Sequence, residues 1–143
     1  MVDRAARDKA ATAVERFWAG EITNDELEKL WPNSRDRAVV AVESFIWLLY
    51  SDLKEHRIRD EDKSDPEIAL RVGTCIRFLR CDEEYGWPHL ATPFGATLYS
   101  KRAVWASFGL LGLANHFEKK RIDRYWRDMN AAGDPTAWPF LKH

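Results

Sequence analysis

The chain has 143 residues, of which 45% are hydrophobic and 31% charged, and its formal net charge is −1. A chain of that length fits one domain and buries about two thirds of the surface its unfolded form exposes. Neither disulfides nor a metal are therefore needed to complete a core, and the composition is that of a globular chain. The balanced charge argues against a nucleic-acid binder, which normally displaces counterions with a basic excess.

Helix one is expected from about Asp3 to Ala19, with Ala10, Ala13, Val14, Phe17 and Trp18 as its apolar stripe and Gly20 as its cap. Thr23-Asn24-Asp25-Glu26 reads as a capping box opening a short helix that carries Leu27, Leu30 and Trp31 and ends at Pro32. The third helix, capped by Ser34 or Asp36, is expected to run to about His56. Val39, Val42, Ile46, Leu49 and Leu53 repeat at steps of three and four, and Phe45, Leu48, Trp47 and Tyr50 widen the apolar surface, as in a central helix.

Residues 57–65 form a charged loop, after which Asp65 and Pro66 open a helix with Ile68, Val72, Cys75, Ile76 and Leu79 inward, ending near Glu84. Residues 85–96 are a loop rich in Gly, Pro and aromatics, and a last helical region is expected over about Tyr99 to Asn130. Gly133-Asp134-Pro135 is a turn, and Trp138-Pro139-Phe140-Leu141 is too apolar to stay in water, so the tail should dock on the body. No strand-like alternation persists. The fold class expected is all-α: one compact multi-helix bundle, residues 1–143, around a central helix at about 36–56.

The longest apolar run, Ala103 to Ala114, falls short of the ~20 residues that span a bilayer. The opening residues lack the apolar core of a secretion signal, and free thiols suit a reducing compartment, so a cytoplasmic location is expected. Cys75 and Cys81 would lie about 9 Å apart along one helix, too far for a bridge. Cys75 sits on the core stripe and Cys81 beside acids, so neither suits a reactive thiolate.

Two clusters can carry chemistry. Asp52 shares a helix face with Glu55 and His56, which suits either an acid–base or metal site or a structural histidine at a helix end. Asp82, Glu83 and Glu84, followed by Tyr85 and Trp87, put three acids where they oppose the helix dipole. They call for basic partners, from this chain or another. No nucleophile elbow, phosphate-cradling glycine loop or zinc-ligand spacing occurs. The 99–121 segment suits core, a dimer interface or a membrane surface.

Four ordered stretches carry a resemblance: Ile22 to Glu28, Leu49 to His56, Ile76 to Pro88, and Gly133 to Leu141. Together they resemble a family of small helical bacterial proteins of no established activity, which bear an acidic-aromatic stretch ending in Trp-Pro and a closing Trp-Pro-Phe-Leu. This chain has Cys81 and Gly86 where that pattern has a polar residue and an acid. In size and in its seven Trp residues the chain is similar in character to immunity proteins that neutralise toxins.

The expectation is a non-enzymatic protein-binding protein of the immunity or antitoxin type, with a protein partner, a toxin among the candidates, and no cofactor or metal. Its candidate partner-binding residues are Asp52, His56, Asp82, Glu83, Glu84, Tyr85 and Trp87. The alternatives are a small enzyme or ligand-binding domain with a pocket near Asp52, His56, Asp82 and Tyr85, and a peripheral membrane or regulatory protein using residues 99–121. Homodimerisation and membrane-surface contact stay open.

Overall fold

The computed structural model describes residues 1–50, 54–88, 124 and 127–141, and among them there are helices and no strand. The α-helices are α1 (Arg4–Trp18), α2 (Asn24–Leu30), α3 (Arg37–Ile46) and α4 (Pro66–Leu79). Residues 127–132 are also helical, and 3-10 turns occupy Trp47–Leu49, Asp60–Lys63 and Pro135–Ala137. Most of the expected 99–130 helix and all of the 99–121 segment lie outside the described residues. The chain forms two compact units. Unit one comprises Met1–Tyr85 with Trp138–Phe140, and unit two comprises Gly86–Ala137 with Leu141–His143.

In unit one, α1 packs against α2, α3 and α4. Its alanines make this possible. Ala6, Ala10, Ala11 and Ala13 bury with almost no side-chain volume, so neighbouring helices approach closely, while Val14 and Phe17 fill the remaining space. The Asp3 side chain caps α1 by accepting from the Ala6 amide. At the other end Gly20 adopts φ +76°. Its amide donates to Phe17 and that of Glu21 to Arg16, which closes the helix as a Schellman motif. A β-carbon at Gly20 would stand 2.6 Å from the Ile58 carbonyl oxygen. Gly20→Ala therefore combines a left-handed backbone with a clash, and is expected to cost about 1–3 kcal/mol in thermal melting. An unchanged melting temperature would contradict this packing of Ile58 on the end of α1.

The capping box of α2 is present: Thr23 Oγ1 accepts from the Glu26 amide at 3.3 Å, and Glu26 Oε2 accepts from the Thr23 amide at 2.8 Å. Asp65 caps α4 by accepting from the amides of Glu67 and Ile68, with Pro66 at its first position.

α3 is shorter than the 36–56 expectation. Val39, Val42 and Ile46 are buried, but the helix gives way at Trp47 to a 3-10 turn, and Leu49 is only half-buried. Hydrogen bonds at residues 54–56 compete with the expected continuation to residue 56. Asn24, itself buried, accepts from the His56 amide at 2.6 Å through Oδ1 and donates to the Lys54 carbonyl at 3.3 Å through Nδ2. Its own amide donates to the His56 carbonyl at 3.0 Å. A helix continued through residue 56 would spend that amide within itself and orphan the buried Asn24 side chain.

α4 likewise ends at Leu79 rather than near Glu84, because side chains of α1 take up its last carbonyls, as described below. The tail docks within unit one. Trp138 Nε1 donates to the Tyr85 hydroxyl at 2.9 Å, the Trp138 ring meets Phe45 edge-on at 5.5 Å, and Phe140 meets Phe78 edge-on at 5.0 Å. Pro139, in a cis peptide bond with Trp138, is fully buried. Within unit two Met129 is buried, and Leu141 lies over Gly86, where a β-carbon would come within 3.1 Å of it.

Candidate functional site

Asp82 and Glu84 find partners at the start of the chain, and Glu83 is held there by its carbonyl. Arg4 donates to Asp82 Oδ1 at 3.2 Å and to the Cys81 carbonyl at 2.7 Å, and also to the Leu79 carbonyl. The chain's amino group lies 3.2 Å from Glu84. Arg7 Nη1 donates to the carbonyls of Cys81 and Glu83 at 3.1 and 2.7 Å. Two guanidinium groups of α1 therefore add positive charge at the end of α4, beside Arg77 of its last turn. They hold residues 79–83 in a turn and draw the acidic stretch onto unit one. The side chains of Asp82, Glu83 and Glu84 themselves remain exposed.

Arg7 carries a second load. It is 1% exposed and forms a two-pronged ion pair with Asp36, Nε to Oδ2 at 2.7 Å and Nη2 to Oδ1 at 3.2 Å. Asp36 also accepts from the Asp3 amide at 2.9 Å and caps α3 through the Ala38 amide at 2.9 Å. Burial pushes the Asp36 carboxyl up, but the Arg7 guanidinium and these two amides outweigh it and hold it below the usual carboxylate range. Ser34 joins the group, donating to Asp3 and accepting from the Asp36 amide. None of these residues was a candidate for the site, although Ser34 and Asp36 were expected as caps of the third helix. The signal was there for Arg7, a charged residue in register with the buried stripe of Ala10, Val14 and Phe17.

Tyr85 and Trp87 do not present their rings. Tyr85 is 9% exposed, with its hydroxyl taken by Trp138, and Trp87 is fully buried. The aromatic half of the expected partner-binding stretch is thus core. A loop reading of 85–96 hides this, because Gly86 and Pro88 mark the break without telling which way the flanking rings turn.

His56 and Asp82, expected to share a pocket, are not brought together. Asp52 lies outside the described residues. His56 sits at the C-terminal end of α1, where neighbouring Arg57 donates to the Gly20 carbonyl at 2.9 Å. Asp82 sits at its N-terminal end on Arg4. The 15 residues of α1 put about 22 Å between those ends. His56 Nε2 instead lies 3.3 Å from Asp62 Oδ2, without hydrogen-bond geometry. Among the described residues no group of three His, Cys, Asp or Glu side chains comes together as a metal would require. Burial pushes the Cys75 thiol up to about 12, with Arg71 pulling weakly the other way, so it is protonated and inert at neutral pH.

Two surface features stand out from the sequence candidates. Trp47 and Leu48, on the turn closing α3, are 40% and 55% exposed, and Leu70 on α4 is 68% exposed. One helical turn before Trp47 stands Glu43. Its carboxyl is pushed above the usual range by burial and by the like charge of Glu28. A carboxyl raised on folding adds stability below its unfolded value of about 4.3 and loses it as pH rises through the folded value. Glu43→Gln is therefore expected to melt higher than wild type at pH 7, with the difference disappearing near pH 4. Equal melting at pH 7 would show that neither burial nor Glu28 disfavours the charged carboxylate here. The second feature is a shallow, open depression of about 350 Å³ lined by Asp8, Lys9, Thr12, Ala13, Arg16 and Leu30.

No helix among the described residues is long and apolar enough to cross a membrane. No model of a known protein family, no curated protein and no solved structure matches this chain.

Proposed function

We propose that this chain is a non-enzymatic protein-binding protein of the immunity or antitoxin type, and that it meets its partner through the turn closing α3. The observation that supports this is the exposure of Trp47 and Leu48 side by side. A tryptophan held at the surface of a folded unit has a large rigid apolar area to bury, and such residues dominate interface energetics. With Glu43 one turn away, the surface suits a partner with an apolar hollow bordered by basic residues. Asp82 and Glu84 contribute at most a rim, because Arg4 and the amino group already balance them.

Affinity capture from the source cells, followed by titration of the purified partner against wild type, Trp47→Ala and Asp82→Asn, tests the reading. The expected result is a weakening of tenfold or more in Trp47→Ala, equivalent to about 1.4 kcal/mol or above, little change in Asp82→Asn, and an unchanged melting temperature in both. A partner whose affinity depends on Asp82 and not on Trp47 would return the site to the acidic stretch.

A further inference from the structure

The tail supports an inference independent of the Trp47 surface. Trp138, Pro139 and Phe140 belong to unit one, yet the residues on either side of them in the chain belong to unit two. Three residues are thus inserted into unit one as a bound peptide would be. Among the described residues the walls of their seat include Phe45 on α3, Phe78 on α4, and Tyr85 beyond it.

Those walls are fixed by contacts in which the tail has no share. Phe78 and Tyr85 meet edge-on at 6.2 Å, the Arg7 guanidinium lies over Phe78 at 5.3 Å, and that of Arg37 over Tyr85 at 5.8 Å. α3 and α4 pack directly on one another, and Arg4 and Arg7 hold the turn that leads to Tyr85. The slot is therefore organised in advance, which lowers the cost of filling it. It also reads its occupant: the Tyr85 hydroxyl accepts from an indole N–H, a closed space takes a proline, and the Phe78 ring takes an aromatic edge. Trp138 and Phe140 are only half-buried, so the slot opens to the surface.

We infer that unit one carries a recognition slot for a Trp-Pro-Phe segment, filled here by the chain's own residues 138–140 and able to take the same segment from a second copy of the chain. The covalent link gives the resident segment a millimolar-range local concentration, so an added segment competes poorly until the resident one is removed.

The test uses the full-length chain carrying Trp138→Ala and Phe140→Ala, with a synthetic peptide of the sequence from Gly133 to Leu141 as the probe. Saturable binding is expected, about tenfold or more tighter than to wild type, together with a rise in the variant's melting temperature. A control peptide with both aromatic residues replaced by alanine should do neither. A folded variant that ignores the peptide, or that binds the control equally, overturns the proposal. Should the double variant fail to fold, a protease site inserted between Gly133 and Asp134 of the otherwise native chain replaces it. After cleavage of the folded protein, the fragment should co-elute with the body and be exchanged by labelled peptide. Release without exchange overturns the proposal equally.

Discussion

Arg7→Ala is expected to cost about 3–5 kcal/mol, the range for leaving one member of a buried ion pair without its partner. The position makes the cost specific. Removing the guanidinium leaves Asp36 buried and charged, strips the Glu83 carbonyl of its Arg7 donor, and leaves the Cys81 carbonyl with Arg4 alone. The loss also has a pH signature. In wild type the Asp36 carboxyl is held low, so its contribution is present above the unfolded value of about 3.9 and is lost as pH falls through the folded value. In the variant only burial and the two amides act on it, so protonation relieves the stranded charge. The gap between the two proteins should therefore narrow as pH falls toward 4. Asp36→Asn should cost less, since the amide oxygen can still cap α3. Chemical denaturation at pH 7 and pH 4 checks both points, and a gap that widens in acid would exclude the mechanism.

Trp138→Ala is the second large effect, at about 2–4 kcal/mol, somewhat below the range for a fully buried aromatic because the ring is half-exposed. The indole leaves Phe45 without its edge contact and the Tyr85 hydroxyl without its donor. Truncation after Gly133 removes Pro139 and Phe140 as well and should cost more. A tail that docked only on a partner would leave melting unchanged in both variants, so thermal denaturation of the isolated chain distinguishes the two cases.

Local physics was legible in the sequence. The capping box at Thr23, the Asp65-Pro66 start of α4, the Gly20 stop and the helical fold class follow from residues within a few positions of each other. Docking of the tail followed from apolar surface that the chain could not leave in water. What could not be read were bonds between distant residues. Asn24 takes the amide of His56, 32 residues away, which a helix running through residue 56 would spend within itself. Arg4 and Arg7 reach more than 70 residues along the chain to close α4. Both helices were therefore expected to run longer than they do, because apolar periodicity continues past the point where a tertiary bond wins.

The same limit displaced the candidate site. Three acids at a helix end did call for basic partners, and the alternative that found them inside the chain is the one the structure shows for Asp82 and Glu84. Tyr85 and Trp87 looked like surface aromatics because Gly and Pro surround them, but their rings are buried. Trp47 looked like one more core residue of a long helix, and is 40% exposed at the end of α3.

Within the 82–87 stretch the rings of Tyr85 and Trp87 are buried while its acids stay exposed, and the close of α3 faces outward. Hydroxyl-radical footprinting of the free chain, read by mass spectrometry residue by residue, tests this arrangement most directly. Trp47 and Leu48 should be oxidised rapidly, and Tyr85 and Trp87 should be strongly protected, in keeping with exposures of 40% and 55% against 9% and 0%. Oxidation of Trp87 at the rate of Trp47 would contradict the account and restore the 82–87 stretch as the surface a partner meets.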